Sequence, residues 1–322
     1  MSARSRTDEP PQMATCHCEE LDFWSKAVGW ETDYRQIGKG SFEAWFDTSV
    51  TAEFRAVEQF CSKSMAVTGA PPQGHLPILM VLNEGSRGRF QGRELKEGQA
   101  VAMCPGSEST FQTPEDLHML TVALPVERLK KSYSILTGED LDPLIGETRL
   151  LSMPQGVSEN LIALARESIY TPTSGEAPDL CQTEREYRFI EGYLSLIAGP
   201  DFTKGEVLHP HARAKYVLAA RDYIESHLAS SLGLEIISEA VSVSPRTLEY
   251  AFRDIFDITL VHYIKIRRLN AVRSTLLEAT PGSLKIGSVA RNYGFSHLGY
   301  FSRDYRQLFG EHPSSTLSAS TQ

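Results

Sequence analysis

Two similar helical units near the end of the chain constrain its fold most strongly. The first is LEIISEAVSVSPRTLEYAFRDIFDIT from residue 234, and the second is KIGSVARNYGFSHLGYFSRDYRQLFGEHP from residue 285. After one inserted residue, three apolar positions recur: Leu248, Phe252 and Phe256 align with Phe301, Tyr305 and Phe309. Each unit has the pattern of a short helix, a tight break and a second helix with one buried apolar stripe.

Hydroxyl side chains stand where the helices of this region are expected to begin. Ser244 and Ser296 precede the second helix of each unit, and Thr259 precedes the segment between the units. Because such oxygens accept from the first free backbone N–H groups of a helix, all three are predicted N-caps.

The apolar stripes leave one face of each second helix for solvent, and these faces carry cations and hydrogen-bonding groups. The candidate binding residues are Ser244, Arg246, Thr247, Glu249, Tyr250 and Arg253 in the first unit, and Ser296, His297, Gly299, Tyr300, Arg303 and Arg306 in the second. Arginine binds guanine O6 and N7 together, and glutamate accepts from cytosine N4. The pattern predicts two helix-turn-helix motifs whose second helices enter the major groove of DNA.

Charge supports DNA binding over a purely structural pair of helices, which is the alternative for any single unit. The chain has a formal net charge of −9, but residues 211–322 hold 13 Lys plus Arg against 10 Asp plus Glu. The remaining residues hold 19 against 31. The acidic balance therefore belongs to the front of the chain, and the repeated units lie in its basic part.

The segment between the units fits two contacts on one duplex. LVHYIKIRRLNAVRSTLLEA, residues 260–279, contains neither Pro nor Gly. About 19 helical residues span roughly 28 Å, close to the ~34 Å between successive major grooves on one side of B-DNA. One chain is thus expected to reach two adjacent groove segments.

Residues 212 to 317 resemble the AraC/XylS family of transcription regulators. The resemblance lies in SPRTLEYAFRDIF, YIKIRRLNAVRSTLL and VARNYGFSHLGYFSRDYRQLFGEHPSST, including Arg268-Leu269 and the Gly294-Phe295-Ser296 turn. It implies a domain of seven helices with two helix-turn-helix motifs. By position it assigns base reading to Arg246, Glu249 and Tyr250, and to His297, Gly299, Tyr300 and Arg303.

Three positions depart from the family pattern. Asp257 stands where a Gly usually follows the first recognition helix, and Leu260 stands where a Pro is expected. Gly299 gives the second recognition helix one position without a side chain. Asp tolerates a left-handed helix end better than most residues, so the departures leave the fold intact and bear on the base contacts.

The front of the chain has the texture of an antiparallel β domain. Short apolar or alternating runs broken by Gly, Pro and Asn extend from about residue 37 to 125, and Ile78 to Leu82 has the length of a buried strand. The stretch from Gln91 to Leu129 resembles the cupin-like sensor domain of the same regulators. Its Pro105-Gly106 turn lacks the clustered His of metal-binding cupins, so no metal, cofactor or catalytic residue is predicted.

Two amphipathic segments, 157–170 and 183–199, follow the β domain. They fit two interpretations equally: helices that form a dimer interface, or helices that cover the core of the β domain. The stretch GPDFTKGEVLHP is expected to be the linker that ends this part of the chain.

Other chemistry is weakly represented. Cys16-His17-Cys18 and His209-Pro210-His211 lack further ligands at zinc-finger spacing, and Cys61 and Cys104 fall in predicted strands. Five scattered Cys do not indicate disulfides. The polar N-terminus lacks a signal-peptide pattern, and no run of 18 apolar residues occurs. We expect a cytoplasmic protein without a membrane span.

These features together predict an α+β multidomain chain. Its parts are a disordered or variable segment (1–36), a cupin-like antiparallel β-barrel sensor domain (37–130), a helical dimerisation segment and linker (131–210), and an all-α domain with two helix-turn-helix motifs (211–322).

The predicted function is sequence-specific transcription regulation by an activator, although the sequence does not distinguish activation from repression. The partners are double-stranded promoter or operator DNA, a small-molecule effector, a second copy of the chain and RNA polymerase. The alternative is a ligand-binding or protein-interaction regulator whose DNA binding has degenerated, as Asp257 and Gly299 would allow.

Overall fold

The computed structural model describes most of the chain after residue 28. The described residues are 29–51, 54–83, 87–96, 98–170, 180–199, 202, 204–208, 213–280 and 283–319. They form an N-terminal part built on antiparallel sheets and a C-terminal part built of helices.

Among the described residues, twelve strands lie in the N-terminal part. They are β1 (Glu31–Gln36), β2 (Ala44–Val50), β3 (Arg55–Cys61), β4 (Met65–Ala70), β5 (His75–Val81), β6 (Gly88–Phe90), β7 (Arg93–Leu95), β8 (Gln99–Ala102), β9 (Ser109–Gln112), β10 (Leu117–Pro125), β11 (Arg149–Ser152) and β12 (Glu206–Val207). The predicted antiparallel β region is confirmed.

The strands form two sheets that do not close into one barrel. The five-stranded sheet has the order β1-β4-β9-β6-β7, and the seven-stranded sheet has the order β12-β11-β8-β5-β10-β3-β2. Neighbouring strands pair antiparallel, with Ile78 opposite Val122 and Val57 opposite Thr121. The cupin-like barrel therefore stays a prediction, whereas a pair of antiparallel sheets is what the chain forms.

The seven-stranded sheet is buried on both faces. Along β5, Ile78 and Met80 pack toward the helices of this part, whereas Leu79 packs toward the other sheet together with Phe90 and Phe111. Successive side chains of a strand point to opposite faces, so a strand covered on both sides reads as a continuous apolar run. This accounts for the run from Ile78 to Leu82.

The predicted boundaries at residues 37 and 131–210 are wrong in two places. β1 (Glu31–Gln36) lies in the segment expected to be disordered or variable, and it pairs along its whole length with β4. β11 and β12 lie in the segment expected to be only helix and linker, and they extend the seven-stranded sheet. β1 is mostly polar, and β11 and β12 have only four and two residues, so local apolar pattern does not identify them and pairing with neighbouring strands holds them in place.

Eleven helices follow or flank the strands among the described residues. They are α1 (Val126–Thr137), α2 (Asp142–Ile145), α3 (Gln155–Tyr170), α4 (Leu180–Ile197), α5 (Ala214–Ser226), α6 (Leu234–Ala240), α7 (Pro245–Phe256), α8 (Leu260–Leu277), α9 (Ile286–Asn292), α10 (Leu298–Phe309) and α11 (Pro313–Ala319). None of these helices is long and apolar enough to cross a membrane.

α3 and α4 correspond to the two amphipathic segments of the sequence. They pack on each other and contribute Leu161, Leu164, Phe189 and Tyr193 to the core that they share with the seven-stranded sheet. The interpretation that these helices cover the core of the β region is confirmed for their apolar faces. A dimer interface on their outer faces stays a prediction.

Candidate functional site

The first helix pair, α6 and α7, has the local chemistry that its sequence predicts. The Ser244 side chain accepts from Thr247 N at 3.1 Å, so Ser244 is the N-cap, and Pro245 opens the helix where no N–H partner is needed. At the other end Asp257 adopts the left-handed conformation with φ 56°, and its N–H donates to Arg253 O. The missing glycine is thus accommodated by an aspartate.

The apolar stripe of α7 is buried as expected. Leu248, Ala251, Phe252, Ile255 and Phe256 are fully buried and pack with α5 and α8. The opposite face holds the predicted binding residues, which are exposed or half-buried: Ser244, Arg246, Thr247, Glu249, Tyr250 and Arg253.

Side-chain contacts already organise this outward face. The guanidinium of Arg246 lies 5.3 Å from the Tyr250 ring centre, and Arg246 Nη2 donates to the Tyr250 hydroxyl at 3.2 Å. Arg213, just before α5, lies 5.6 Å from the same ring and forms an ion pair with Asp254. Cation–π contacts with the Tyr250 ring hold both guanidinium groups at the protein surface.

Glu249 differs from its neighbours because its carboxylate is engaged within the domain. It accepts from Leu260 N at 3.4 Å and lies 3.6 Å from Arg253. The predicted role in reading cytosine would require this carboxylate to leave the start of α8.

The second helix pair, α9 and α10, is joined by a turn that requires glycine. Gly294 has φ +84°, and an added Cβ would lie 2.9 Å from Arg268 Nη1. Arg268 in turn donates to Leu228 O and Ser230 O. The Arg268 and Gly294 positions of the family pattern therefore form one contact, which joins the turn to the loop before α6.

The N-cap predicted at Ser296 is wrong. α10 begins at Leu298, its N-cap residue is His297, and no side chain caps the first N–H groups. The turn takes the chain one residue further than the sequence pattern indicates, so Ser296 lies outside the helix. The first amides of α10 are left available to a negatively charged group.

The outward face of α10 matches the prediction in its exposure. Tyr300 and Arg303 are 62% and 67% exposed, and Ser296, His297, Gly299 and Arg306 are also exposed. Arg303 lies 5.0 Å from the Tyr300 ring centre and 3.3 Å from Asp304. A Cβ at Gly299 would meet no atom within 4 Å. The buried stripe of α10 consists of Phe301, Tyr305, Leu308 and Phe309.

α8 joins the two pairs as one continuous helix. Its 18 residues span about 27 Å, and its N-cap is Thr259, whose side chain accepts from His262 N at 3.2 Å. The predicted cap and the predicted connector are both confirmed. Leu260, the departure from the family pattern, is the first residue of α8 and is buried.

The sheets contact the C-terminal ends of both outward-facing helices. Arg89 of β6 donates to the carbonyls of Arg253 and Asp254 at 3.5 and 3.4 Å. At α10, Gln36 of β1 donates to Leu308 O at 2.7 Å, and Gly40 N donates to the same carbonyl at 3.0 Å. The N-terminal halves, which carry the predicted base-reading residues, are left outside these contacts.

A buried arginine of α8 ties the helical part to β1. Arg267 is 3% exposed and pairs with Asp33 of β1 and with Glu225 of α5. Although burial raises the pKa of Asp33, Arg267 and Arg35 outweigh it and hold that pKa below its ordinary value. Asp33 is therefore ionised, as the buried guanidinium requires.

Comparisons with known proteins match this helical part. Residues 237–319 match a family described as "Helix-turn-helix domain". The "XylDLEGF operon transcriptional activator 2" of Pseudomonas putida is 42% identical over 96 residues, which are 30% of this chain and 61% of that protein. This chain therefore carries a helix-turn-helix domain that is similar to those of AraC/XylS-type regulators.

One further relative and one solved structure are also similar to this chain. The "Probable thc operon regulatory protein" of Rhodococcus erythropolis is 30% identical over 182 residues, 55% of this chain and 51% of that protein. A solved structure, "a probable AraC family transcriptional regulator from Rhodopseudomonas palustris CGA009", is 31% identical and covers 34% of this chain and 99% of its own, with a TM-score of 0.31. The matches to the two relatives thus span about half to three fifths of those proteins.

A narrow cavity of about 50 Å³ lies between the two sheets. Its wall is mainly aromatic and aliphatic and includes Trp30, Tyr34, Phe46, Phe90, Phe111 and Met119. Two buried polar atoms in the wall have no hydrogen-bond partner among the described residues: Gln59 Nε2 and Thr32 Oγ1. An unpaired buried polar group costs about 1–3 kcal/mol, so both atoms call for an explanation.

A polar cluster lies on the other face of the same sheet, under α3. Glu58, adjacent to Gln59, binds His118 at 2.7 Å and Arg166 at 2.6 Å, and Tyr170 also donates to it. Burial by itself raises the pKa of Glu58, but the bonds from His118 and Arg166 lower it to about 2. The cluster joins α3 to the sheet through one ionised carboxylate.

Sequence reasoning missed Arg89, Arg213, Arg267 and Gln59. The first three make contacts across the domain, for which no local pattern exists. The sequence did contain a clue to Gln59. Glu58 and Gln59 are adjacent polar residues in a mainly apolar strand, and adjacent side chains of a strand point to opposite faces of the sheet. Cys61 is buried in β3 as expected, whereas Cys104 lies beyond the end of β8. Cys16, His17, Cys18 and His209 to His211 lie outside the described residues.

Proposed function

We propose that the protein is a sequence-specific DNA-binding regulator of transcription, in which α7 and α10 are the recognition helices of two helix-turn-helix motifs. The observation that carries this proposal is the pair of outward faces on α7 and α10, each with exposed arginine and tyrosine above a fully buried stripe. The named activities of the matched relatives, an operon activator and an operon regulatory protein, support it. The word activator in the P. putida name favours activation as the mode.

The two faces have the chemistry for different parts of a DNA site. Arg246 and Arg303 are the candidates for base contacts, since each is held beside a tyrosine on the free half of its helix. Thr247, Ser244 and the uncapped amides of α10 suit phosphate. The about 27 Å length of α8 is compatible with one motif in each of two neighbouring grooves.

The sheet part is proposed to control how the recognition helices are presented. β1 contacts both the cavity and the helical domain. Thr32 and Tyr34 line the cavity, whereas Asp33 between them pairs with Arg267 of α8. Gln36 at the end of β1 and Arg89 of β6 bind the C-terminal ends of α10 and α7. A molecule that moved β1 would shift its contacts with α8 and α10, and this shift would couple the cavity to the second recognition helix.

Dimerisation through the outer faces of α3 and α4 is part of the proposal. Their inner faces are occupied by the sheet core, and Tyr187 on α4 is 64% exposed. A second copy would place two helix-turn-helix domains on paired DNA sites.

The decisive experiment is a gel shift with fragments of the region upstream of the gene. At about 50 mM salt, where phosphate contacts are strongest, the protein is expected to retard at least one fragment in preference to an unrelated one. Arg303→Ala and Arg246→Ala should each weaken that complex by about 1–3 kcal/mol if the arginine contacts a base. A residue that contacts only phosphate would instead reduce the salt dependence for all sequences.

Lys131→Ala is the matched control, because Lys131 is an exposed cation on α1 of the sheet part. It should leave both affinity and salt dependence unchanged. Failure to retard any fragment at low salt would contradict the proposal and favour a regulator whose helical domain no longer binds DNA.

A further inference from the structure

The wall of the cavity between the sheets carries no formal charge. Its sixteen described lining residues include five aromatic side chains together with Val, Leu and Met, and none is Asp, Glu, Lys, Arg or His. A water molecule needs roughly 10–15 Å³ of such space, so about 50 Å³ corresponds to a compact organic molecule rather than a long one.

Two polar groups of this wall, an amide donor and a hydroxyl, have no partner among the described residues. Gln59 is 1% exposed, and its Nε2 reaches no acceptor among the described residues. Thr32 Oγ1 is buried in the same wall and also lacks a partner. Two other hydroxyls in the wall have partners: Thr113 Oγ1 accepts from Met65 N at 2.8 Å, and Ser109 Oγ donates to Gly69 O at 3.3 Å. The two unpaired groups lie on β1 of the five-stranded sheet and on β3 of the seven-stranded sheet.

Charge determines which molecules this cavity excludes. A carboxylate or ammonium group inside it would lose its hydration without gaining a partner of opposite charge, which is far more costly than the burial of a neutral polar group. A neutral carbonyl, by contrast, accepts from the Gln59 amide and replaces a missing hydrogen bond. The rest of the wall is apolar and therefore favours a ligand with mainly apolar surface.

We infer that the cavity binds a compact, uncharged and mainly apolar molecule with one hydrogen-bond acceptor, such as a small ketone or ester, and that Gln59 recognises the acceptor. The inference rests on the proposed function, because the cavity is the sensor site of that proposal. It adds the chemical class of the effector and the residue that selects it. Thr32 supplies a second polar contact from β1, the strand whose other face pairs with Arg267.

The second cleft of the molecule does not share this chemistry. It measures about 750 Å³ and lies between the sheets and α5, where Asp33, Glu108, Arg221, Glu225 and Arg267 line it. These charges already pair with one another, for example Arg221 with Glu108 at 2.7 Å. Thr32 lines this cleft as well as the cavity, but the Gln59 amide faces only the cavity among the described lining residues, so the polar, open cleft with paired charges lacks the donor on which the inference depends.

The test uses the full chain and two matched series of probes. One series is acetophenone, ethylbenzene and benzoate, and the other is 2-hexanone, heptane and hexanoate, so that each compares a neutral acceptor, an apolar analogue and an anion. Binding is followed by tryptophan fluorescence, since Trp30 lines the cavity, and by the shift in melting temperature. At least one ketone is expected to bind saturably, about tenfold tighter than its hydrocarbon. Neither anion should bind saturably.

Gln59→Leu removes the amide and keeps an apolar side chain of similar size. It should reduce the preference for the ketone over its hydrocarbon from about tenfold to about onefold, while hydrocarbon binding persists and reports a folded cavity. Ser107→Ala, outside the cavity wall, should leave the preference unchanged. If Gln59→Leu fails to fold, Gln59→Met serves the same comparison.

Two results would overturn the inference: equal or tighter binding of an anion, or no saturable binding of either ketone. The gel shift on the same preparations separates this from the proposed function. Retarded DNA together with anion binding would leave the regulator standing and remove the inferred effector class. Ketone binding without any retarded DNA would support the inferred ligand class and contradict the regulator.

Discussion

The two parts of the molecule place their polar groups on opposite sides of their apolar cores. In the helical domain the cores around Phe252 and Phe301 are apolar, and the cations of α7 and α10 face outward. In the sheet part, Gln59 and Glu58 are buried on the two faces of one strand. The difference agrees with the proposed function, in which the helical domain binds DNA at its surface and the sheet part binds a ligand in its interior.

The largest expected effect concerns the apolar cores of the helical domain. Phe252→Ala and Phe301→Ala remove aligned, fully buried rings, and each should lower the free energy of unfolding by about 3–5 kcal/mol. Urea unfolding monitored by circular dichroism measures it. Because the two positions are equivalent in the repeat, a loss below about 1 kcal/mol at either one would show that the two units are not packed alike.

A smaller effect is expected from the ionised carboxylate inside the sheet part. The pKa of Glu58 is lowered from 4.5 to about 2, after burial is outweighed by His118 and Arg166. A lowered pKa stabilises the fold above the unfolded value, and this contribution is lost as the pH falls through 4.5 toward 2. Between pH 5 and pH 3 the loss should be about 2 kcal/mol.

Urea titrations at several pH values test this with Glu58→Gln, which should flatten the acid limb of the stability curve by that amount. Glu127→Gln, an exposed change on α1, is the control and should leave the limb as it is. If Glu58→Gln leaves the pH dependence of the unfolding free energy unchanged, groups other than Glu58 cause the loss of stability in acid.

The smallest effect distinguishes two glycines of the second motif. Gly299 lies in α10 with nothing within 4 Å of an added Cβ, so Gly299→Ala should raise stability by about 0.5–1 kcal/mol through helix propensity. Gly294→Ala should lower stability by more than that amount, since Gly294 has φ +84° and Arg268 crowds it. Thermal unfolding of the pair gives the two signs. Equal signs would contradict the turn geometry.

Local pattern predicted the repeated units well. The stripes of α7 and α10, the caps at Ser244 and Thr259, and α8 as an uninterrupted helix all follow from residues within one or two turns of each other. Ser296 shows the limit of this reasoning: the length of the turn after Gly294, not the type of residue, decides where the helix begins.

Pattern was less informative in the sheet part. β1 was missed because its sequence is mostly polar and its pairing partners in β4 lie 29 to 39 residues further along the chain. The cavity residues depend on strand register, and a shift by one residue would exchange Gln59 for Glu58 on the inner face. Only the paired strands resolve that choice.

The sequence by itself determined the two helical repeats, their exposed cations and the β texture before them. The periodicity of a helix or a strand depends on residues that are close together in the sequence. The tertiary structure decided which polar residues of the sheets face the cavity. It also decided that β1 joins the cavity to Arg267, and that Arg89 and Gln36 bind the C-terminal ends of α7 and α10. These contacts join residues far apart in the chain, where no local period carries information about partners.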